Sequence, residues 1–242
     1  MATFGLIGKT LAHSFSKNYF TEKFTQEKLP FSYDNFELKT IDEFPALLRE
    51  NCQLRGLNVT IPYKTQIIPF LDELDWEAEK IGAVNTIKIT NGKTKGFNTD
   101  VFGFEQSLFK WCKKMSRVLI FGTGGAALAA QYVLQKNKIP FQKVSRKKQS
   151  GVLTYEELTK EIISKTSLYI NCTPAGTFPH IDDEPLPLPY EWFSENHFYF
   201  DMIYNPAKTK TAAVLEKQGV HLKNGLEMLE LQAEKSWEIW NL

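Results

Sequence analysis

The chain has little cysteine, little histidine and no excess of either charge, and each scarcity closes off a class of function. Cys52, Cys112 and Cys172 are odd in number, far apart and without a C-x-x-C pair. That argues against a disulfide framework and a zinc site, and it suits a reducing compartment. His13, His180, His197 and His221 show no metal-ligand spacing, so no metal is expected. With 29 basic and 28 acidic residues the net charge is +1, and no global field favours nucleic acid or an acidic membrane. No apolar run approaches the ~18 residues of a membrane span, and residues 1–9 carry no signal-peptide pattern. A cytoplasmic protein without a structural metal is the expectation. What is present is 43% hydrophobic and 24% charged residues over a length of 242, enough for one large globular domain or two ordinary ones.

The stretch Gly56-Leu57-Asn58-Val59-Thr60-Ile61-Pro62-Tyr63-Lys64 gathers an amide, a hydroxyl and an ammonium group within seven residues. Alternation predicts a strand with one buried face, Asn58 and Thr60 pointing one way and Val59 and Ile61 the other. Pro62 removes a backbone donor and ends the strand. Polar groups at the carboxyl end of a strand are where an open α/β sheet places its ligand. The alternative is an edge strand running into a solvated lysine.

The pattern around this stretch alternates strand and helix. Strands are expected at 2–8, 31–38, 81–89, 118–121, 167–172, 198–204 and 220–222. Helices are expected at about 14–27, 41–51, 64–79, 102–112, 126–137 and 225–240. Asn91-Gly92 marks a hairpin turn. Ser14 and Ser16 flank a helix start, where hydroxyls are commonly N-caps, and Asp100 stands in the same relation to the helix after it. Gln232 lies two helical turns after Gly225.

The apolar strand Val118-Leu119-Ile120-Phe121 runs directly into Gly122-Thr123-Gly124-Gly125-Ala126-Ala127 and a helix. This is the G-x-G-x-x-A turn of a dinucleotide-binding unit, in which glycines let backbone amides approach a pyrophosphate. About 20 residues further on, an acidic residue would hold the ribose hydroxyls of NAD. The chain offers none there and reads Val144-Ser145-Arg146-Lys147-Lys148. A guanidinium beside ammonium groups pairs with a 2′-phosphate, which favours NADP. In isolation the same run reads as a solvated basic loop.

Taken in chain order, eight motifs resemble the shikimate dehydrogenase family over nearly the whole length. They are His13-Ser14-Phe15-Ser16, residues 56–64, Gly82-Ala83-Val84-Asn85-Thr86, 96–100, 122–127, Asn171-Cys172-Thr173-Pro174, 201–209 and 225–233. The resemblance implies an α/β protein of two domains. A mostly parallel α/β substrate domain is expected at 1–100, and a Rossmann NADP-binding domain at 101–224. A C-terminal helix, 225–242, is expected to return to the cleft and the substrate domain.

The implied reaction is the reversible NADPH-linked reduction of 3-dehydroshikimate to shikimate in aromatic amino-acid biosynthesis. The implied partner is a small molecule, and the implied assembly is a monomer or homodimer. Residue by residue, Lys64 matches the family's catalytic lysine and Asp100 its partner aspartate. Ser14, Ser16, Asn58, Thr60, Asn85, Tyr204 and Gln232 match substrate-binding positions. Gly122, Thr123, Gly124, Gly125, Ala126, Ser145, Arg146, Lys147, Met202 and Gly225 match the cofactor side. Lys17 stands where the family usually has proline, and Ser145 and Lys147 flank the arginine in place of asparagine and threonine. The chain is somewhat short for the family, which implies trimmed loops. The nearest alternatives are a quinate/shikimate dehydrogenase that also accepts NAD, and a non-catalytic ligand sensor on the same fold. A methylene-tetrahydrofolate dehydrogenase would share only the general architecture.

Overall fold

A computed structural model describes residues 2–11, 14–113 and 115–241. His13, named above as part of a motif, lies outside them. The chain divides into two compact units. One contains the chain up to Thr99 together with the stretch from Gln232 onward, and the other runs from Asp100 to Leu231. The boundary between Leu231 and Gln232 falls inside a continuous helix, not at residue 225.

In the first unit the order is β1 (Ala2–Gly8), α1 (Phe15–Gln26), β2 (Phe31–Glu37), α2 (Phe44–Glu50), β3 (Leu54–Val59), β4 (Glu73–Leu74), α3 (Trp76–Ile81), β5 (Thr86–Thr90) and β6 (Lys93–Phe97). Its sheet has the order β2-β1-β3-β5-β6-β4. Strands β1, β2 and β3 are parallel, and β5 joins β3 antiparallel. Asn91 and Gly92, with φ of 52° and 77°, turn the chain between β5 and β6, as Asn-Gly predicts.

The second unit comprises α4 (Thr99–Trp111, from Asp100 on), β7 (Val118–Phe121), α5 (Gly125–Lys136), β8 (Phe141–Val144), β9 (Val152–Leu153), α6 (Lys160–Ser164), β10 (Leu168–Asn171), β11 (Phe198–Asp201), α7 (Lys210–Lys217) and β12 (His221–Lys223). Helix α8 (Leu226–Asn241) begins here and ends in the first unit. This sheet is parallel throughout, in the order β12-β11-β10-β7-β8-β9. Counted from β7, that is the 3-2-1-4-5-6 order of a dinucleotide-binding fold, reversing direction between β7 and β10.

Strand β3 is buried on both faces, not one. Leu57 and Val59 enter a core with Ile7, Ile67 and Ile87, while Gly56 and Asn58 face the other way and are equally buried. That second face is covered by α1 and α8, whose Phe20, Phe24 and Trp240 pack with Phe4 and Tyr33 of the strands. A parallel sheet is normally sheathed by helices on both sides, and the alternation of a half-exposed strand is lost. Gly56 is required for this covering, because a Cβ there would lie 2.3 Å from the Trp240 indole nitrogen. The indole instead lies flat enough to donate its N–H to the Ile87 carbonyl at 3.0 Å.

Two further expectations change. Ile61 lies beyond the strand and is 73% exposed. Residues 64–79 do not form one helix but a turn, a 3-10 segment at Ile68–Phe70, β4 and α3. Pro69 lacks the backbone donor that a continuous helix needs at that position. Asp72 then accepts bonds from the Thr94 backbone N–H (2.7 Å) and hydroxyl (2.8 Å), which fixes the chain beside β6 as a short strand. The strand expected from residue 81 starts at Thr86, because Ile81 still closes α3 and Gly82 caps it in a left-handed conformation.

In the second unit, Glu227 in the first turn of α8 accepts from Lys110 Nζ of α4 at 2.6 Å and Lys223 Nζ of β12 at 2.5 Å. These bonds hold its carboxyl down at about 2, from an ordinary value near 4.5. A carboxyl depressed in the folded state stabilises fully above its unfolded pKa and loses that contribution as pH falls toward the folded value. Lys110 is three-quarters exposed, so solvent screening discounts what its bond contributes to stability. Glu227→Gln is therefore expected to lower the urea midpoint at pH 7. The difference from wild type should shrink as pH is lowered from about 5 toward 2. A pH-independent difference in paired denaturation curves would contradict the assignment.

Candidate active site

In the first unit, three of the amides singled out from the sequence meet in one buried network. Asn58 comes from β3, Asn85 from the residue before β5, and Gln232 from α8. The Tyr33 hydroxyl donates to Asn58 Oδ1 at 2.8 Å. Asn58 Nδ2 lies 3.0 Å from Ser236 Oγ and 3.3 Å from both the Asn85 carbonyl and Thr86 Oγ1. Asn85 Oδ1 accepts the Thr99 backbone N–H at 2.7 Å, and its Nδ2 donates to Gln232 Oε1 at 3.3 Å. All of these residues are buried, and polar groups removed from water in this way must find partners among themselves.

Around this network stand the other first-unit residues. Ser14 caps α1, its Oγ accepting the Lys17 backbone N–H at 3.2 Å. A proline at position 17 has no N–H to give, so the lysine here adds a cap bond that proline would lack. With its lone pair engaged, the Ser14 hydroxyl keeps its proton for an acceptor such as a carboxylate. Ser16, in the first turn of α1, is hydrogen-bonded to Tyr33, whose phenol burial holds well above its usual range. Thr60 and Lys64 belong to the turn after β3 and are half-buried. The turn is held by Thr60 N–H to the Ile7 carbonyl (2.9 Å), and by Val84 N–H to the Lys64 carbonyl (2.7 Å). Between them Tyr63 is buried and donates to the Leu38 carbonyl at 2.6 Å, anchoring the loop that carries Lys64.

In the second unit, β7 ends in Gly122, whose φ of +107° and 3.2 Å approach to the Cys172 backbone leave room for no side chain. Thr123 and Gly124 are exposed, and Gly124 caps α5. The first intrahelical bond is Leu128 N–H to Gly124 carbonyl (3.1 Å), so the amides of Gly125, Ala126 and Ala127 have no partner within the helix. The first turn holds no acidic side chain, and a Cβ added at Gly124 would meet nothing within 4 Å. Open space above unpaired amides at a positive helix end fits a diphosphate.

After β8, the Ser145 hydroxyl donates to the Lys147 carbonyl at 2.6 Å and shapes a tight turn. Lys148 pairs with Glu157. Arg146 and Lys147 are exposed, and among the described residues no carboxylate forms a salt bridge with either. Two cations and no carboxylate at this position suit a phosphate monoester better than a bare ribose diol.

Met202 and Tyr204 follow β11, in a loop organised by the buried Asp201. That carboxylate accepts the Thr209 hydroxyl (2.7 Å), Asn171 Nδ2 (3.0 Å) and Ile203 N–H (3.1 Å). Burial raises its pKa against those bonds. Tyr204 is half-buried, and burial raises its phenol too. Gly225 N–H donates to the Ile203 carbonyl at 3.1 Å, and a Cβ there would fall 2.2 Å from the Met202 carbonyl. Asp100 is buried in the first turn of α4.

Sequence reasoning missed four members of the network: Tyr33, Thr86, Thr99 and Ser236. Thr86 and Thr99 sit inside stretches already marked as motifs and adjoin Asn85 and Asp100. Ser236 carried only the weak signal of lying one helical turn after Gln232, and Tyr33 carried none. Among the described residues no cluster of His, Cys, Asp or Glu could hold a metal ion, and no helix is long and apolar enough to cross a membrane.

Comparison with known proteins bears on the same residues. The family model described as the shikimate dehydrogenase substrate binding domain matches residues 6–87. A shikimate dehydrogenase (NADP(+)) of Clostridium botulinum (strain Hall) is 34% identical over 254 residues, covering 100% of this chain and 97% of its own length. The Thermus thermophilus shikimate 5-dehydrogenase, solved in complex with NADP(H) and shikimate, superposes with a TM-score of 0.87 at 28% identity over 99% of this chain and 93% of that one. A Listeria monocytogenes shikimate 5-dehydrogenase, solved in complex with shikimate and NAD, superposes with a TM-score of 0.83 at 28% identity over 100% of this chain and 92% of that one.

Proposed function

The chain belongs to the shikimate dehydrogenase family, and we propose that it interconverts 3-dehydroshikimate and shikimate with NADP(H), working toward shikimate in the cell. The observation that carries this reading is the convergence of Asn58, Asn85 and Gln232, three amides distant in sequence, in one network of the first unit. Amides and hydroxyls suit a cyclic polyol, because a site built for hydroxyl groups rejects a ligand that leaves them unpaired. In this reading the first unit carries most of the substrate-binding residues, and the stretch from Gly122 to Gly225 carries the cofactor-binding ones.

Bound NADPH would supply the hydride that reduces the ketone carbon. Its diphosphate would lie on the amides of 125–127, its 2′-phosphate against Arg146 and Lys147, and its nicotinamide end toward Met202 and Gly225. The chain's own residues handle the rest. Lys64 presents an ammonium group that stabilises negative charge growing on the ketone oxygen and donates the proton. Asp100 accepts a hydrogen bond from a substrate hydroxyl. Ser14, Ser16 and Tyr204 take the carboxylate, for which neutral donors leave room, and Asn58, Thr60, Asn85 and Gln232 take the ring hydroxyls.

A second reading, with relaxed use of NAD, draws support from the Listeria monocytogenes relative solved with shikimate and NAD. Against it stands the Arg146-Lys147 pair where a ribose-binding carboxylate would be needed. Initial rates with shikimate and with quinate, each against NADP and NAD, separate the readings. The expected result is turnover of shikimate with NADP well above the other three combinations, and at least about a hundredfold loss of kcat in Lys64→Ala. Equal rates with NAD would establish the relaxed enzyme. No turnover with any pair would establish a sensor.

A further inference from the structure

Three hydroxyl groups at the centre of the first unit take no part in the reaction as described. Thr86, Thr99 and Ser236 are 0%, 1% and 0% exposed. Their oxygens lie 2.7 Å (Thr86 to Ser236), 3.1 Å (Thr99 to Ser236) and 3.2 Å (Thr86 to Thr99) apart. A hydroxyl has one proton and two lone pairs, so backbone partners of fixed character decide the direction of each bond.

Ser236 Oγ is 2.9 Å from the Gln232 carbonyl, which only accepts, so the serine proton goes there. The serine oxygen then accepts twice, from Asn58 Nδ2 and from the Thr86 hydroxyl. On the opposite side the Thr99 backbone N–H only donates, and it fixes Asn85 with its oxygen toward Thr99. Asn85 Nδ2 is thereby turned to Gln232 Oε1, which leaves Nε2 as the donor end of Gln232 facing away from Asn85. Asn58 is held at both ends, Oδ1 by Tyr33 and Nδ2 by Ser236 and the Asn85 carbonyl. The directions start from two backbone groups of fixed character, the Gln232 carbonyl and the Thr99 N–H, and Ser236 carries the first of them to Asn58.

We propose that Ser236 is a positioning residue whose buried hydroxyl orients Asn58, so helping to fix which end of that amide meets the substrate. This rests on the substrate site proposed above. Without the serine oxygen, Asn58 Nδ2 and the Thr86 hydroxyl lose an acceptor where water is excluded. The Asn58 amide then loses its 3.0 Å bond and keeps only the Tyr33 hydroxyl, Thr86 and the 3.3 Å Asn85 carbonyl as anchors, so its broad terminal torsion is held less tightly. A loosened Asn58 amide weakens hydroxyl recognition, while the cofactor unit is left as it was.

The test uses the full chain with Ser236→Ala, and Ser236→Cys as a second variant that keeps a weak donor of similar shape. Shikimate and NADP dissociation constants come from calorimetry, KM and kcat from initial rates, and folding from the melting curve. Ser236→Ala is expected to raise the shikimate dissociation constant and KM about tenfold, with kcat within about threefold and NADP affinity unchanged. Ser236→Cys should fall between it and wild type. Tyr33→Phe, which removes the opposite anchor of Asn58, should give the same split. Combining it with Ser236→Ala should cost less than the product of the two, because both act through one amide. Unchanged shikimate affinity in folded Ser236→Ala or Ser236→Cys overturns the inference, as does an equal fall in NADP affinity. A wild-type protein that neither binds nor oxidises shikimate overturns the proposed function itself, and this inference with it.

Discussion

The bond from the Thr99 backbone N–H to Asn85 Oδ1, at 2.7 Å, is the constraint on which the first unit's polar interior depends. A backbone N–H cannot reverse its role, so it alone decides which way the Asn85 amide faces. From there the direction passes to Gln232 through Asn85 Nδ2. Asn58 receives its own fixed directions from the Asn85 carbonyl, Ser236 and Tyr33. The network is enclosed by aromatic packing, Tyr33 stacking on Phe20 at 4.8 Å and Phe4 on Trp240 at 4.9 Å. A low-dielectric surrounding strengthens each of these bonds and makes any unpaired member costly, so the network is stable only when complete. In the proposed reading the same completeness makes it a rigid platform for recognising hydroxyl groups.

The second unit works by a different principle. In the proposed reading its recognition groups are backbone amides at the start of α5 and two exposed cations after β8. Parallel pairing of β7 with β8 and β10 brings those two loops to the same end of the sheet. Gly122 permits the close passage over Cys172 that this arrangement needs. In the proposed reading, selectivity there depends on charge: a missing carboxylate after β8 says as much about the cofactor as the arginine that is present.

Features governed by neighbours in sequence were legible from it. The glycine turn between β7 and α5, the Asn-Gly hairpin and the strand-helix alternation all depend on a few adjacent residues, whereas the two-domain α/β architecture came from the resemblance of eight motifs taken in order. Residues 64–79 were misread because the expected helix ran through Pro69, and because the Asp72–Thr94 bond joins segments 22 residues apart. The single buried face expected for β3 failed because its other cover, α8, comes from the far end of the chain. Ser236 and Tyr33 were invisible for the same reason: the Asn58–Ser236 bond spans 178 residues, and no local pattern encodes a partner at that distance. The amides carried a chemical signal of their own, and the hydroxyls that hold them did not.

The central claim is that the Asn58, Asn85 and Gln232 amides form a preoriented surface for a hydroxylated ring acid. Side-chain amide resonances of 15N-labelled protein, followed while shikimate is added without cofactor, test it most directly. The account predicts saturable shifts of the Asn58 and Gln232 NH2 signals, both already slow to exchange before shikimate is present. Turnover of shikimate by a protein whose three amide signals neither shift nor show protection would contradict it.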